Sequence, residues 1–170
     1  MGSGPMLERM RTGSSFTPRI LVTFIGSVLG LGISTYLTLA HYTNVVSLTC
    51  PLGSSGGAID CAKVTTSPQS YAFGIPVAVL GLSYFVAMTV LSTPWAWHSS
   101  NRLIAPLRLA STVVSIGFIS YLLYSELYTI HSICIWCSVV HVVTLVIFVA
   151  VVTGWDEATL NRKTHAESAS

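Results

Sequence analysis

The sequence predicts an all-α integral membrane protein, a bundle of four transmembrane helices with a cysteine-bearing outer loop between the first and second. Three observations carry this. Of 170 residues, 52% are hydrophobic and only 8% are Asp, Glu, Lys or Arg, against roughly 25% charged in a soluble domain. Mean hydropathy is +0.70. The charges are also confined, since residues 20–59, 64–101, 109–125 and 127–155 contain none, and about 20 apolar residues suffice for a helix to cross the hydrocarbon core. Eight basic and six acidic side chains cannot coat a water-soluble surface of this size. Disorder is excluded, because disordered chains are poor in apolar residues. A net charge of +2 with no basic cluster leaves no phosphate-binding surface, so no nucleic acid is expected as a partner.

The elements follow in order. Residues 1–19 form a polar cytoplasmic tail, 20–153 the membrane domain, and 154–170 a second cytoplasmic tail. The first span, Ile20–Tyr42, is longer than a signal-peptide core and no small-residue cleavage site clearly ends it, so it is read as a retained span. Segment 43–72 is the outer loop. Thr49 to Ser70 is rich in Ser, Gly, Thr and Pro, and Gly53-Ser54-Ser55-Gly56-Gly57 reads as flexible. Tyr71 and Phe73 anchor its return to the membrane surface, and Pro76 falls in the first turn of the second span, Phe73–Leu91, where a missing N–H is harmless. The third span is Ile104–Ser125. A tight turn near Tyr128–Ser132 joins it to the fourth, Ile133–Thr153.

Four spans put both termini on one side. Arg9, Arg11 and Arg19 precede the first span, Arg102 and Arg108 lie around the second connection, and Arg162 and Lys163 follow the fourth. Only Lys63 falls on the other side, so the positive-inside rule makes both termini cytoplasmic. The expected location is the cell inner membrane, with the loop 43–72 and all four cysteines on the outer face. The outer side of a bacterial inner membrane is oxidising, as is the lumen of the endoplasmic reticulum.

Cys50 and Cys61 lie in the outer loop, and Cys134 and Cys137 form a C-x-x-C at the start of the fourth span. One reading is two structural disulfides stapling the loop to a non-enzymatic membrane scaffold. A disulfide inside one helical turn closes almost no chain, however, so it adds little stability. A zinc site is the other structural reading, but one C-x-x-C with one C-x10-C is not the paired spacing of a structural zinc site, and no metal is expected. The chemical reading is redox. Spacing i, i+3 sets both sulfurs on one helical face, and the positive helix end favours a thiolate, the nucleophile of disulfide exchange. A second pair on a flexible loop makes an electron relay between a water-soluble thiol and something in the bilayer.

Other residues are read more plainly. His141 lies in a span, where ionisable side chains face cavities or hydrogen-bond a neighbouring helix. Glu126, between Tyr124 and Tyr128, reads first as interfacial and second as a proton-transfer group. His41 fits a headgroup-level position. Asp60 and Lys63 flank Cys61 with opposite charges. Trp95 and Trp97 fit a cytoplasmic aromatic belt, and Gly26, Gly30 and Gly32 fit close helix packing.

Several segments together resemble the vitamin K epoxide reductase family, in particular its bacterial branch. They are Gly30-Leu31-Gly32-Ile33-Ser34-Thr35-Tyr36-Leu37, the pair Cys50 and Cys61 with Cys61-Ala62-Lys63-Val64, Phe73-Gly74-Ile75-Pro76 followed by Leu80-Gly81-Leu82-Ser83-Tyr84-Phe85, and Cys134-Ile135-Trp136-Cys137. The resemblance covers roughly residues 20–153. In the other bacterial quinone-linked family, the disulfide-bond protein B type, the two cysteine pairs come in the reverse order.

The resemblance implies a quinone-dependent thiol–disulfide oxidoreductase. Cys50 matches the cysteine that exchanges with a thioredoxin-like (DsbA-like) partner. Cys61 matches the shuttle cysteine that pairs with Cys50 or Cys134, Cys134 the recipient of those electrons, and Cys137 the cysteine beside the quinone. Ser70, Phe73, Gly74 and His141 would line the quinone pocket, and the quinone would be menaquinone, ubiquinone or phylloquinone. The animal enzymes have Asn at the position of Ser70 and Tyr at that of His141, so the resemblance implies quinone reduction first and vitamin K epoxide reduction as an alternative. Many bacterial members carry a fused thioredoxin-like domain. Here the partner is expected to be a separate chain.

Overall fold

The computed structural model describes residues 18–43, 50, 58–98 and 103–167, with side chains of the last helix described as far as Trp155. The glycine-rich stretch 53–57 and Arg9, Arg11 and Arg102 lie outside the described residues.

Helix α1 spans Pro18–Tyr42. Its buried residues Ile20, Thr23, Ser27, Gly30, Ser34 and Leu37 recur every three or four positions and so form one face. The hydroxyls on this face donate back to their own helix, Thr23 to the Arg19 carbonyl at 2.9 Å and Ser27 to the Thr23 carbonyl at 2.7 Å. Neither hydroxyl depends on water for a partner. Small side chains allow neighbouring helices to come close. At Gly30 the Phe85 ring fills the space a Cβ would need, and at Gly26 the nearest Ile147 atom would stand 3.1 Å from one. Gly32, grouped with them by sequence, faces open space with nothing within 4 Å of a Cβ.

A short helix α2, Cys61–Thr66, and a 3-10 turn, Pro68–Ser70, lead into a two-stranded hairpin. Its strands β1, Tyr71–Ala72, and β2, Ile75–Pro76, pair Tyr71 with Pro76 and Ala72 with Ile75. Helix α3 then covers Val77–Leu91. The expected second span, Phe73–Leu91, is therefore helical only from Val77, and Pro76 stands just before the helix rather than inside its first turn. The cause is local, because Phe73 and Gly74 take positive φ values of 55° and 77°, which no right-handed helix accommodates. Fifteen residues extend about 22 Å, short of the roughly 30 Å hydrocarbon core.

After α4, Pro94–His98, comes α5, Ile104–Tyr124. It continues through a π-helical turn, Ser125–Ile130, so the chain stays helical past the expected end at Ser125 and reverses at His131, φ 52°. Helix α6 runs from Ile135 to Glu167. Helix α1 packs against α3 and α6, and α6 against α5.

Among the described residues, three helical segments are long and apolar enough to cross a membrane, Pro18–Tyr42, Ile104–Ile130 and Ile135–Trp155. Their outward faces carry large apolar side chains, among them Leu21, Ile25 and Leu29 on α1 and Val142, Leu145 and Val149 on α6. Continuous apolar surface of this kind suits lipid and not water. Two buried clusters fill the interior, one of Phe85, Met88, Ile147 and Val151, the other of Cys61, Val64, Ile130 and Cys134.

Arg108, expected in the second connection, lies inside α5 and is 4% exposed. Its guanidinium donates to the Leu91 carbonyl from Nε at 3.1 Å and Nη2 at 2.7 Å, and stacks 3.8 Å over the Trp97 ring. It thereby satisfies a carbonyl that the end of α3 leaves open. Trp97 is thus part of the packing around Arg108, whereas Trp95 is exposed.

Candidate functional site

The site is assembled where the loop meets the start of α6. Ile59 and Ile133 form a parallel β-bridge, the Ile133 N–H donating to the Ala58 carbonyl at 2.9 Å and the Asp60 N–H to the Ile133 carbonyl at 3.2 Å. Asp60 then caps α2, its carboxylate accepting from the Lys63 N–H at 3.0 Å. The Lys63 ammonium donates to the Ser132 hydroxyl at 3.0 Å. Each of these contacts pins the first residue of α2, Cys61, beside Cys134.

Cys50 and Cys61 are joined in a disulfide with their Cα atoms 5.8 Å apart. Cys61 and Cys134 are both fully buried, in one cluster with Val64 and Ile130, and Cys50, Trp136 and Cys137 pack against it. Cys134 and Cys137 are free thiols. Cys134 immediately precedes α6, and its sulfur accepts the Cys137 backbone N–H at 3.3 Å. A sulfur there receives both a hydrogen bond and the positive end of the helix, and both favour a thiolate. Trp136 meets Tyr36 of α1, ring centres 5.3 Å apart, which ties the C-x-x-C turn to the bundle.

Beneath the cluster lies a cavity of about 360 Å³ enclosed by α1, α3, α5, α6 and the hairpin. That volume is within the range of small-molecule sites. Its walls are mainly apolar, with Leu37, Val77, Leu80 and Phe118 among them, and Cys137 reaches it from the cysteine cluster. Ser70, Phe73 and His141 line it; Gly74 sits in the hairpin turn and does not. Phe73 is 98% exposed, so it stands at the mouth of the cavity and not on a helix within. The Ser70 hydroxyl donates to the Ser67 carbonyl at 2.6 Å, keeping its lone pairs available as acceptors. His141 is 6% exposed and its Nδ1 has no hydrogen-bond partner among the described residues. Buried polar atoms are rarely left so, and this one suits a ligand carrying a carbonyl or hydroxyl.

Two contributors were not singled out for the site by sequence. Glu126, read first as interfacial, is 4% exposed and lines the cavity with its carboxylate against the Cys134 backbone amide. The π-helical turn makes this possible by rotating the residue inward, and such turns concentrate at functional sites. His41, assigned to the headgroup level, also lines the cavity and hydrogen-bonds Tyr71, Nε2 to Oη 3.0 Å. That bond links the end of α1 to the hairpin at the cavity mouth.

The cavity is thus apolar on its walls, bears a histidine nitrogen without a partner among the described residues, and opens onto a thiol. The family model for the vitamin K epoxide reductase family matches residues 21–152. The chain belongs to that family. No curated protein matches it. Members of the vitamin K epoxide reductase family are membrane oxidoreductases that use quinone and thiol–disulfide chemistry and act with redox partners. Thiol–disulfide chemistry exchanges a disulfide with a thiol, and this chain holds one disulfide in the loop and two free thiols at the helix start.

Proposed function

We propose that this protein oxidises a thioredoxin-like dithiol protein, a separate chain, and reduces a membrane quinone, as in the bacterial branch of its family. The observation that carries the proposal is the burial of Cys61 and Cys134 in one cluster, with Cys50 on its loop side and Cys137 on its cavity side. α3 with the hairpin supplies a fourth crossing, both termini are cytoplasmic, and the cysteines face outward. The oxidised partner then introduces disulfides into exported proteins.

The chain's own residues divide the work. The partner's thiolate attacks Cys50, breaking the Cys50–Cys61 disulfide and releasing the Cys61 thiolate. Asp60 and Lys63 hold Cys61 against Cys134, so it attacks Cys134 of an oxidised C-x-x-C and frees the Cys137 thiolate at the cavity. The partner's second thiolate resolves its bond to Cys50, and Cys50 then re-forms its bridge to Cys61, leaving Cys134 and Cys137 reduced. The quinone, when bound, accepts the electron pair of that dithiol. His141 offers a hydrogen bond to one of its oxygens, and Phe73 and Ser70 border the mouth.

Purified protein given a reduced thioredoxin-like partner and a soluble quinone tests this. Partner oxidation should match quinone reduction one to one. Each of Cys50→Ala, Cys61→Ala, Cys134→Ala and Cys137→Ala should abolish partner-driven turnover. Undiminished turnover in Cys61→Ala would contradict the route.

A further inference from the structure

Thiol oxidation by a quinone moves protons as well as electrons. When Cys134 and Cys137 close to a disulfide, two S–H bonds break, one S–S bond forms, and two electrons and two protons pass to the quinone, giving the quinol. The Cys137 thiol lines the cavity and can deliver its own proton directly. Cys134 is fully buried and does not line the cavity, so its proton reaches the quinone only through a neighbouring group.

Glu126 spans that gap. Its carboxyl meets the Cys134 backbone amide, is buried, and lines the same cavity that Cys137 reaches. Its backbone is held as firmly, since the Glu126 carbonyl accepts N–H groups from both His131 and Ser132. The Lys63 ammonium is engaged by Ser132, and the other titratable side chains lining the cavity with Glu126 are His41, Tyr84, Cys137 and His141. A carboxyl buried at this depth has a structural cost, and as an element of the bundle alone it is unaccounted for.

We propose that Glu126 is the proton carrier between the C-x-x-C and the quinone site. Its carboxyl gives a proton to a quinone oxygen and takes up the one that leaves Cys134, so the carboxyl is restored in each turnover. This rests on the quinone-reducing reading above and adds the route of the second proton.

The test uses the whole protein reduced with a small dithiol, so that the partner is not needed. Glu126→Gln keeps the shape and the hydrogen-bonding capacity but cannot carry a proton. It should slow quinone reduction by about 100-fold or more, while Glu126→Asp keeps a measurable part of the rate. An infrared difference spectrum between the dithiol and disulfide forms, recorded without quinone, should show a carboxyl signal in the parent that is absent in Glu126→Gln and shifted in Glu126→Asp. Quinone reduction by Glu126→Gln within threefold of the parent, or a carboxyl signal that survives the substitution, overturns the proposal. A parent protein that reduces no quinone overturns the underlying reading instead. Should Glu126→Gln fail to fold, Glu126→Asp decides, since an unshifted signal or none in the parent refutes the carrier role.

Discussion

Replacing Gly30 by Ala adds one methyl group where α1 crosses α3, and the structure assigns it a definite cost. The Phe85 ring occupies the position of that methyl. Phe85 is 1% exposed and is packed with Met88, Ile147 and Val151, so its ring cannot step aside without moving the cluster. Overpacking of a filled interior costs about 1–3 kcal/mol, and a clash this direct belongs at the upper end. Ala gains about 1 kcal/mol over Gly in a helix, leaving a net destabilisation of about 2 kcal/mol. Gly32→Ala meets nothing within 4 Å and should stabilise by up to about 1 kcal/mol. The two substitutions lie half a helical turn apart and are expected to differ in sign. Reversible unfolding in detergent measures both. The double variant Gly30→Ala with Phe85→Leu should recover at least about 1 kcal/mol of the loss, a coupling that distant residues do not show. Equal effects at Gly30 and Gly32, or no coupling to Phe85, would refute the reasoning.

Two further substitutions follow from single contacts. Asp60→Ala removes the cap of α2 and should cost about 0.5–2 kcal/mol, read as faster amide hydrogen exchange through Cys61–Thr66 with the long helices unaffected. Arg108→Ala leaves the Leu91 carbonyl unpaired and should lower stability by about 1.5–3 kcal/mol. Arg108→Lys should recover only part of this in the same unfolding measurement, because an ammonium makes neither the two-pronged bond nor the stack on Trp97.

Much of the site was legible in the sequence because it depends on short-range spacing. A C-x-x-C at a helix start, and a second pair in a polar segment between apolar runs, need only the chain order. Three of the four expected spans were legible from the absence of charge. What escaped depends on how distant segments meet. The bridge of Ile59 to Ile133 joins residues more than seventy positions apart, and it sets Cys61 beside Cys134. Glu126 has the same neighbours in sequence whether it faces headgroups or a cavity; the π-helical turn decides, and hydropathy does not encode it. The start of the second helix was misplaced for a local reason, since Phe73 and Ile75 read as apolar helix while the backbone at Phe73 and Gly74 turns the other way. Gly32 carries the same composition signal as Gly30, but only the tertiary contact of Phe85 tells them apart.

The central claim is that electrons pass from the loop to the cavity through a bond between Cys61 and Cys134. Cys50→Ala removes the only thiol that returns Cys61 to the loop disulfide. In that variant, treated with quinone and then digested under conditions that block thiol exchange, mass spectrometry should find Cys61 linked to Cys134 and Cys137 free. Cys61 recovered as a free thiol beside an intact Cys134–Cys137 disulfide would contradict the account.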